Sequence, residues 1–319
     1  MTDIRTAGQA AAYLALARTI AIANDKGGVG KTSLTANLGA LFAAAGYRVL
    51  LVDMNRQANL SDDLGYRHHA IDDQGAGLLM SLIGGTVLQA VPVPGRERLF
   101  VIPGGTRLGD LTGVMVGRVG QQGRQAMLAL ANALAPIAAD YDIVLIDTPP
   151  ENMLLVDLAL AAARRLLMPT KSDAGGLIGM QLLAERFAVA REINPALTLL
   201  GVVLFGTARG ATAIHRNVRS AVQVAFGTTD SPVLTATIGH SERIATTSRE
   251  RGRVAHELES DAASQPAWWE ALRAAGKGEA EPDGPRALRI PSTAGNVAED
   301  YRKLAAEVLD LLAAAEAAG

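Results

Sequence analysis

Cysteine is absent from this chain of 319 residues, and aromatic side chains make up only 4% of it. Without cysteine there are no disulfides, thiolate metal sites or cysteine-held iron–sulfur clusters, and the chain is compatible with a reducing cytoplasm. An excess of charge of one sign is also missing, because the formal net charge is −2. No global basic field therefore favours nucleic acids, and any such binding must come from a local patch.

Long hydrophobic runs are lacking as well. No apolar stretch reaches the roughly 18 residues of a membrane-spanning helix, and the N-terminus has no basic region followed by an apolar core and a cleavage site. We therefore expect a cytoplasmic protein that is neither exported nor bound to a membrane. The length is enough for one large α/β domain with an ample core.

A glycine-rich stretch lies between two apolar runs, residues 20–23 and 34–41, and this order predicts a strand, a turn and a helix. Glycines let successive backbone N–H groups close on an anion, and the N-terminus of the following helix adds positive charge. The general phosphate-loop pattern has a glycine where Asp25 stands, so the run matches the variant K-G-G-x-G-K-T. We expect Lys31 to reach the β- and γ-phosphates and the Thr32 hydroxyl to bind Mg²⁺. The predicted nucleotide-binding residues are Gly27, Gly28, Val29, Gly30, Lys31, Thr32 and Ser33.

Two later apolar runs each end in an aspartate, residues 48–53 at Asp53 and residues 141–147 at Asp147. A strand that ends in Asp after a phosphate loop is typical of the Walker B arrangement, in which the acid helps to hold magnesium. Asp147 and Thr32 are therefore the predicted metal ligands. Polar residues 54–61 follow Asp53, at the carboxyl end of a strand, where ligands bind in open α/β sheets.

Strands and helices alternate along most of the chain, which predicts a doubly wound, mostly parallel sheet flanked by helices. The predicted strands cover residues 20–23, 48–53, 99–102, 141–147, 166–168, 199–205 and 233–238. The predicted helices cover residues 33–45, 78–83, 124–135, 154–163, 177–193 and 213–226, and a last helix carries an apolar face.

Three motifs together resemble the ParA/MinD family of deviant Walker ATPases, and most closely its ParA partition branch. They are K-G-G-V-G-K-T at residues 26–32, V-D-x-x-x-Q-x-N at residues 52–59 and I-D-T-P-P at residues 146–150. The resemblance implies a homodimer with two ATP molecules sandwiched between the subunits. In this dimer Lys26 crosses to the partner's phosphates, while Lys31 binds its own nucleotide. A flexible ammonium suits the first role because it can neutralise charge that develops between phosphates.

The resemblance also divides the chain into four parts. Residues 1–18 form an N-terminal helical extension, and residues 19–260 form the P-loop ATPase domain. Residues 261–297 are an exposed insertion, and residues 298–319 are a C-terminal helix packed on the ATPase domain.

ParA-type dimers bind DNA without sequence preference in the ATP state, so the resemblance implies a nucleoid-associated protein that partitions or positions plasmid, chromosome or other cargo. It also implies a ParB-like centromere-binding or adaptor protein as the partner that stimulates hydrolysis. Binding of this kind needs cationic side chains against phosphates and weakens steeply with salt. The arginines cluster late in the chain, and we predict the DNA face among Arg209, Arg216, Arg219, Arg243, Arg249, Arg251 and Arg253. A solvated helix surface, with pairing to nearby glutamates, is the alternative interpretation.

One position departs from the family pattern, which has D-x-D-P-Q-x-N after the second strand. Here Asp53 matches the first acid, whereas Asn55 replaces the second and Arg56 replaces the proline. The second acid positions or activates the hydrolytic water, and a neutral amide is a very poor proton acceptor. Our hypothesis is that the protein binds ATP and dimerises but hydrolyses ATP slowly, unless Asp53 or a partner compensates. The predicted catalytic set is Lys26, Lys31, Asp53 and Asn55.

Three rival functions share part of this pattern. The run from Thr170 to Asp173 matches the [NT]-K-x-D signature for guanine, which would make the protein a GTPase, although it follows the wrong strand. A MinD-like positioning ATPase would need a basic amphipathic tail, and the acidic residues of the last helix do not supply one. A hydrolysis-deficient, ATP-bound scaffold or regulator that binds DNA is the non-catalytic alternative, and Asn55 favours it.

Overall fold

A computed structural model describes residues 14–150, 152–206, 212–227, 232–239, 241–264, 290–291 and 293–317. Eight strands form one sheet: β1 (Thr19–Ile22), β2 (Val49–Asp53), β3 (Val91–Pro92), β4 (Leu99–Ile102), β5 (Ile143–Asp147), β6 (Arg165–Thr170), β7 (Thr198–Phe205) and β8 (Val233–Ile238). Their order is β3-β4-β2-β5-β1-β6-β7-β8, and every pairing is parallel except that of β3 with β4. The fold is therefore the α/β type with a doubly wound, mostly parallel sheet, as predicted.

Helices cover both faces of the sheet. They are α1 (Lys31–Ala44), α2 (Asn59–Asp63), α3 (Ala76–Gly84), α4 (Leu111–Gln122), α5 (Ala129–Ala138), α6 (Met153–Ala162), α7 (Ala174–Ile193), α8 (Thr212–Phe226), α9 (Glu242–Arg251), α10 (Ala255–Ser264) and α11 (Ala294–Ala317). Short 3₁₀ turns cover Thr106–Gly109 and Gly123–Leu128. Among the described residues, no helix is both long and apolar enough to cross a membrane.

The central strands are buried on both faces because each supplies side chains to two separate cores. In β2, Leu50 and Val52 belong to the core beneath α3 to α8, whereas Val49 and Leu51 belong to the core beneath α1, α10 and α11. This alternation follows from the two-residue period of a strand, and it explains why β2 is a continuous apolar run in the sequence.

Two segments differ from the predictions. Residues 111–122 form helix α4, which was not among the predicted helices; Leu111 and Met115 are buried in the core, and this packing outweighs the low helix propensity of three glycines. The helix predicted at 124–135 is instead a 3₁₀ turn followed by α5, which starts at Ala129. Strand β3 and helices α2, α9 and α10 were not predicted.

Two of the predicted domain boundaries fall at described helices. The boundary at 260/261 falls inside α10, and the last helix begins at Ala294 rather than at 298. Tyr301, Leu304 and Val308 of α11 are buried in the core, as its apolar face predicted. Most of the N-terminal extension and of the insertion lies outside the described residues.

Candidate functional site

The phosphate loop joins β1 to α1 at the carboxyl edge of the sheet, and Asn24 fixes its start. The Asn24 side chain donates to the Pro169 carbonyl on β6 at 2.8 Å and accepts from the Lys26 N–H at 2.9 Å. Gly28 and Gly30 have φ angles of 69° and 92°, in the left-handed region that favours glycine. A Cβ at Gly30 would also overlap the ring of Phe205, so the loop cannot adopt this shape with another residue there.

Lys31 folds back over the loop. Its Nζ donates to the carbonyls of Asn24 at 2.8 Å and Lys26 at 3.0 Å, and the residue is only 5% exposed. Burial lowers the pKa of Lys31, while the nearby acids Asp147 and Asp25 oppose that shift. The ammonium is thus held in the concavity of the loop, where it can meet a phosphate without a large movement of the backbone.

Asp53 and Asp147 end the neighbouring strands β2 and β5 and are directly paired in the sheet register. Asp147 accepts from the Thr32 hydroxyl at 2.8 Å, and Asp53 accepts from the Asn55 N–H at 2.8 Å. Each carboxylate keeps a second oxygen that is buried and has no protein partner. Burial raises the pKa of Asp147 to about 7 and raises that of Asp53 well above its ordinary value, with the charge of Asp147 adding to the second shift.

This arrangement fits a divalent cation. Two unpartnered carboxylate oxygens and a hydroxyl are hard oxygen ligands, and Mg²⁺ is commonly held by one or two carboxylates together with phosphates of the substrate. The described part of the chain contains no group of three or more His, Cys, Asp or Glu side chains that could hold a metal by themselves, so a cation here would also need the Thr32 hydroxyl and phosphate oxygens. Thr32 and Asp147 are therefore the residues best placed to hold magnesium.

Asn55 lies in a tightly organised turn beside these acids. Its side-chain oxygen accepts from the Gln57 N–H at 2.9 Å, and the residue is 4% exposed. Arg67 holds the same turn from the other side, because its guanidinium donates to the carbonyls of Gln57 and Ala58 at 3.0 and 2.9 Å and forms an ion pair with Asp62. The Arg67 contacts, which connect the turn to α2, have no signature in the sequence.

Two cavities meet at the phosphate loop. The smaller, of about 100 Å³, is lined by Gly28, Gly30, Lys31, Thr32, Ser33, Asn55, Asn59, Thr148, Pro150 and Arg249. The larger, of about 370 Å³, reaches past Phe205 and Ile238 to Tyr301 of α11. Gly28, Gly30, Ser33 and Arg249 line both cavities. Together the two cavities offer a space for phosphates, lined by cationic side chains and the backbone of the phosphate loop, that continues into a larger space for a nucleoside.

Lys26 is outside the described lining of both cavities. Its Nζ forms an ion pair with Asp173 at 2.6 Å, and the same carboxylate oxygen accepts from the Gly176 N–H at 2.7 Å and so caps α7. The hydrogen bond from Lys26 lowers the pKa of Asp173. Asp173 is outside the described lining of both cavities, and its engagement with Lys26 argues against a role in selecting guanine.

The predicted DNA-face arginines divide into groups. Arg216 and Arg219 of α8 are exposed, as are Arg243 and Arg251 of α9. Arg253 forms an ion pair with Asp261 at 2.9 Å. Arg249 faces the candidate site, where its Nε lies 3.3 Å from Asp63. Arg209 lies outside the described residues.

Comparisons with known proteins place this chain among related sequences. Residues 17–199, more than half of the chain, match a family model described as an AAA domain. A chromosome partitioning protein ParA of Myxococcus xanthus is 36% identical over 193 residues, which cover 60% of this chain and 66% of that protein. A chromosome-partitioning ATPase Soj of Treponema pallidum is 36% identical over 214 residues, which cover 66% of this chain and 80% of that protein.

Solved structures show the same architecture. The McdA protein of Cyanothece in its apo form superposes with a TM-score of 0.63 at 24% identity, covering 76% of this chain and 93% of that one, which shows the fold alone. A cobyrinic acid a,c-diamide synthase of Mycobacterium smegmatis, solved with bound ADP and magnesium, gives a TM-score of 0.59 at 27% identity over 84% of this chain and 99% of that one. With the motifs, the sheet order and the ParA and Soj relatives, these matches establish that the chain belongs to the ParA/MinD family of P-loop ATPases.

Proposed function

We propose that this chain binds Mg-ATP, pairs with a second copy of itself around two nucleotides, and uses the dimer to hold DNA while cargo is partitioned or positioned. The observation that carries the proposal is the Thr32–Asp147 hydrogen bond of 2.8 Å beside two buried carboxylate oxygens that lack partners. A buried polar atom without a partner is costly, and a cation with its phosphates would remove that cost. When bound, the magnesium ion would neutralise charge on the phosphates.

Magnesium-dependent binding of ATP tests the proposal directly. We expect Asp147→Asn to weaken the binding of Mg-ATP by at least about tenfold, since a charged ligand oxygen becomes neutral, and to leave the weak binding in EDTA nearly unchanged. Asp142→Asn is the matched control, because Asp142 precedes the same strand at its opposite end and accepts from the Arg48 N–H. Equal Mg-ATP affinity of the wild type and Asp147→Asn would refute the assignment.

Lys26 would have to exchange partners when the dimer forms. In the single chain it neutralises Asp173 at the N-terminus of α7, and its side chain is 30% exposed, so among the described residues a single surface ion pair holds it. Surface ion pairs contribute at most about 1 kcal/mol, which a phosphate of a second subunit can readily exceed. The Lys26 side chain is therefore free to cross an interface at low cost.

The DNA face of the proposed dimer lies on α8 and α9. Arg216, Arg219, Arg243 and Arg251 remain its candidate contacts because they are exposed on α8 and α9. Each lost phosphate contact reduces the slope of log affinity against log salt by about one. We expect Arg216→Ala with Arg219→Ala to reduce this slope by about two while ATP binding is unchanged, and an unchanged slope would remove these two arginines from the DNA face.

A second candidate function is an ATP-loaded scaffold or regulator that rarely turns over. The neutral Asn55 in the position beside the phosphate cavity favours it. A MinD-like mode of membrane attachment has less support, because the apolar residues Tyr301, Leu304 and Val308 of α11 are committed to the core. Both the partition ATPase and the ATP-loaded scaffold would work with a ParB-like partner protein.

A further inference from the structure

Arg249 is the only arginine among the described lining of either cavity, and it lines both of them. Gly28, Gly30 and Ser33 are the other residues that the two cavities share. This shared zone is the junction between the space for phosphates and the space for a nucleoside. If a nucleotide spans the two cavities, a guanidinium at that junction would face the part where the phosphate chain meets the ribose.

Asp63 explains why the side chain of Arg249 turns inward. The Asp63 carboxylate is 4% exposed, accepts from the Ser33 hydroxyl at 3.3 Å, and lies 3.3 Å from Nε of Arg249. Burial raises the pKa of Asp63 to about 6, and the guanidinium opposes that shift. Arg249 itself keeps 52% of its side chain exposed, so it pairs with a buried acid while it remains accessible from the cavities.

The backbone around this pair is fixed. Arg96 donates to the Leu64 carbonyl just after α2 at 2.7 Å and to the Gly252 carbonyl just after α9 at 2.8 Å. Gly65 and Gly252 approach so closely that a Cβ at Gly65 would lie 2.9 Å from the Cα of Gly252. The ends of the helices that carry Asp63 and Arg249 are therefore locked together, which preorganises the guanidinium.

We propose that Arg249 binds the ribose-proximal phosphate of the nucleotide and that Asp63 is the positioning residue that holds its guanidinium at the junction of the two cavities. The inference rests on the proposed binding of Mg-ATP and names a contact within that site. A guanidinium has five N–H donors in a rigid fork, so one edge can hold a carboxylate while the other meets a phosphate. The contact would be the same for ATP and ADP, because both carry the ribose-proximal phosphate.

Titration calorimetry of ATP and ADP, in the presence of magnesium, tests the contact. We expect Arg249→Ala to weaken both nucleotides equally, by about 10- to 100-fold, as the loss of charged hydrogen bonds predicts. Arg249→Lys keeps the positive charge but lacks the planar set of N–H donors. Its affinity for both nucleotides should therefore fall between those of the wild type and the alanine variant. Asp63→Asn keeps the Arg249 side chain but weakens the ion pair that positions it, and we expect this variant to bind both nucleotides more weakly by at most about fivefold.

The outcomes separate this inference from the proposed function. Failure of the wild type to bind ATP would refute the proposed function. Binding by the wild type and by Arg249→Ala with equal affinity, while Lys31→Ala binds nothing, would overturn only the role of Arg249. A loss for ATP alone would also overturn the assignment, because it would place Arg249 at the terminal phosphate. Equal losses in Arg249→Ala and Asp63→Asn would show a purely structural ion pair.

Two controls distinguish a lost contact from a loss of folding. Arg124→Ala removes an exposed arginine from an ion pair with Glu192 on the opposite helical layer, and it should leave nucleotide affinity at the wild-type value. The melting temperature of each variant without nucleotide shows whether the fold survives. A variant that binds weakly but melts with the wild type reports on the contact itself.

Discussion

Asn55→Asp is the substitution that bears most directly on turnover. Asn55 is 4% exposed and lines the smaller cavity beside the phosphate loop. Its side-chain oxygen accepts from the Gln57 N–H at 2.9 Å, and an aspartate of the same shape can keep that bond with one oxygen. The other oxygen would replace the amide NH₂ group, so the change adds an acceptor and a charge while the turn is preserved.

The size of the effect follows from two opposing terms. A positioned general base contributes roughly 10²- to 10⁴-fold in rate, which corresponds to a barrier lowered by about 3 to 5 kcal/mol. The new carboxylate would lie near Asp53 and Asp147, whose pKa values burial already raises. Like charges disfavour its ionised form, and we therefore expect an acceleration near the lower end, about 100-fold at pH 8 with saturating magnesium.

Single-turnover hydrolysis of ATP by excess protein measures this step without product release. Asn132→Asp, the same chemical change on the exposed face of α5, is the control and should hydrolyse at the wild-type rate. The reasoning is refuted if Asn55→Asp and the wild type hydrolyse at equal rates while both are saturated with ATP. In that case Asn55 orients water as well as an acid does, and the ordinary partition cycle remains.

Three further predictions follow from the same site. Asp173→Asn should tighten ATP-dependent self-association by up to about fivefold in equilibrium sedimentation, because it releases Lys26 from a surface ion pair, and weaker association would contradict the exchange of partners. Without magnesium, the free energy of unfolding in urea should fall as the pH rises from about 4 to 8, because the folded state holds a proton on Asp147 up to about pH 7 and the unfolded chain does not; Asp147 contributes up to about 4 kcal/mol to this fall, and Asp147→Asn should remove that contribution while the raised pKa of Asp63 keeps a smaller one. Gly30→Ala should abolish measurable ATP binding because of its φ of 92° and the ring of Phe205, and Phe205→Ala in the same chain should restore only part of it, since the backbone strain remains.

Short sequence motifs were enough to predict most of the residues of the site. The phosphate loop, Asp53 and Asp147 each follow an apolar strand, and parallel strands bring their carboxyl ends to one edge of the sheet. Their proximity therefore follows from the fold class alone, without knowledge of any side-chain contact.

Contacts between distant segments could not be predicted in this way. Arg249 looked like one of several exposed arginines, and only the packing of α9 against α2 brings it to Asp63. Arg96 holds α2 and α9 together through carbonyl groups, which leave no signature in a sequence. Helix α4 was missed for a related reason, since its burial of Leu111 and Met115 depends on tertiary packing rather than on its glycine-rich composition.

The central claim is that ATP drives two copies of this chain together around their nucleotides. Sedimentation velocity of the wild type and Lys26→Ala, each with Mg-ATP and with Mg-ADP, tests it most directly. We expect a dimer only for the wild type with Mg-ATP. The Lys26→Ala variant should still bind ATP and remain a monomer. A wild type that stays monomeric when saturated with ATP, or a Lys26→Ala variant that dimerises equally well, would contradict it.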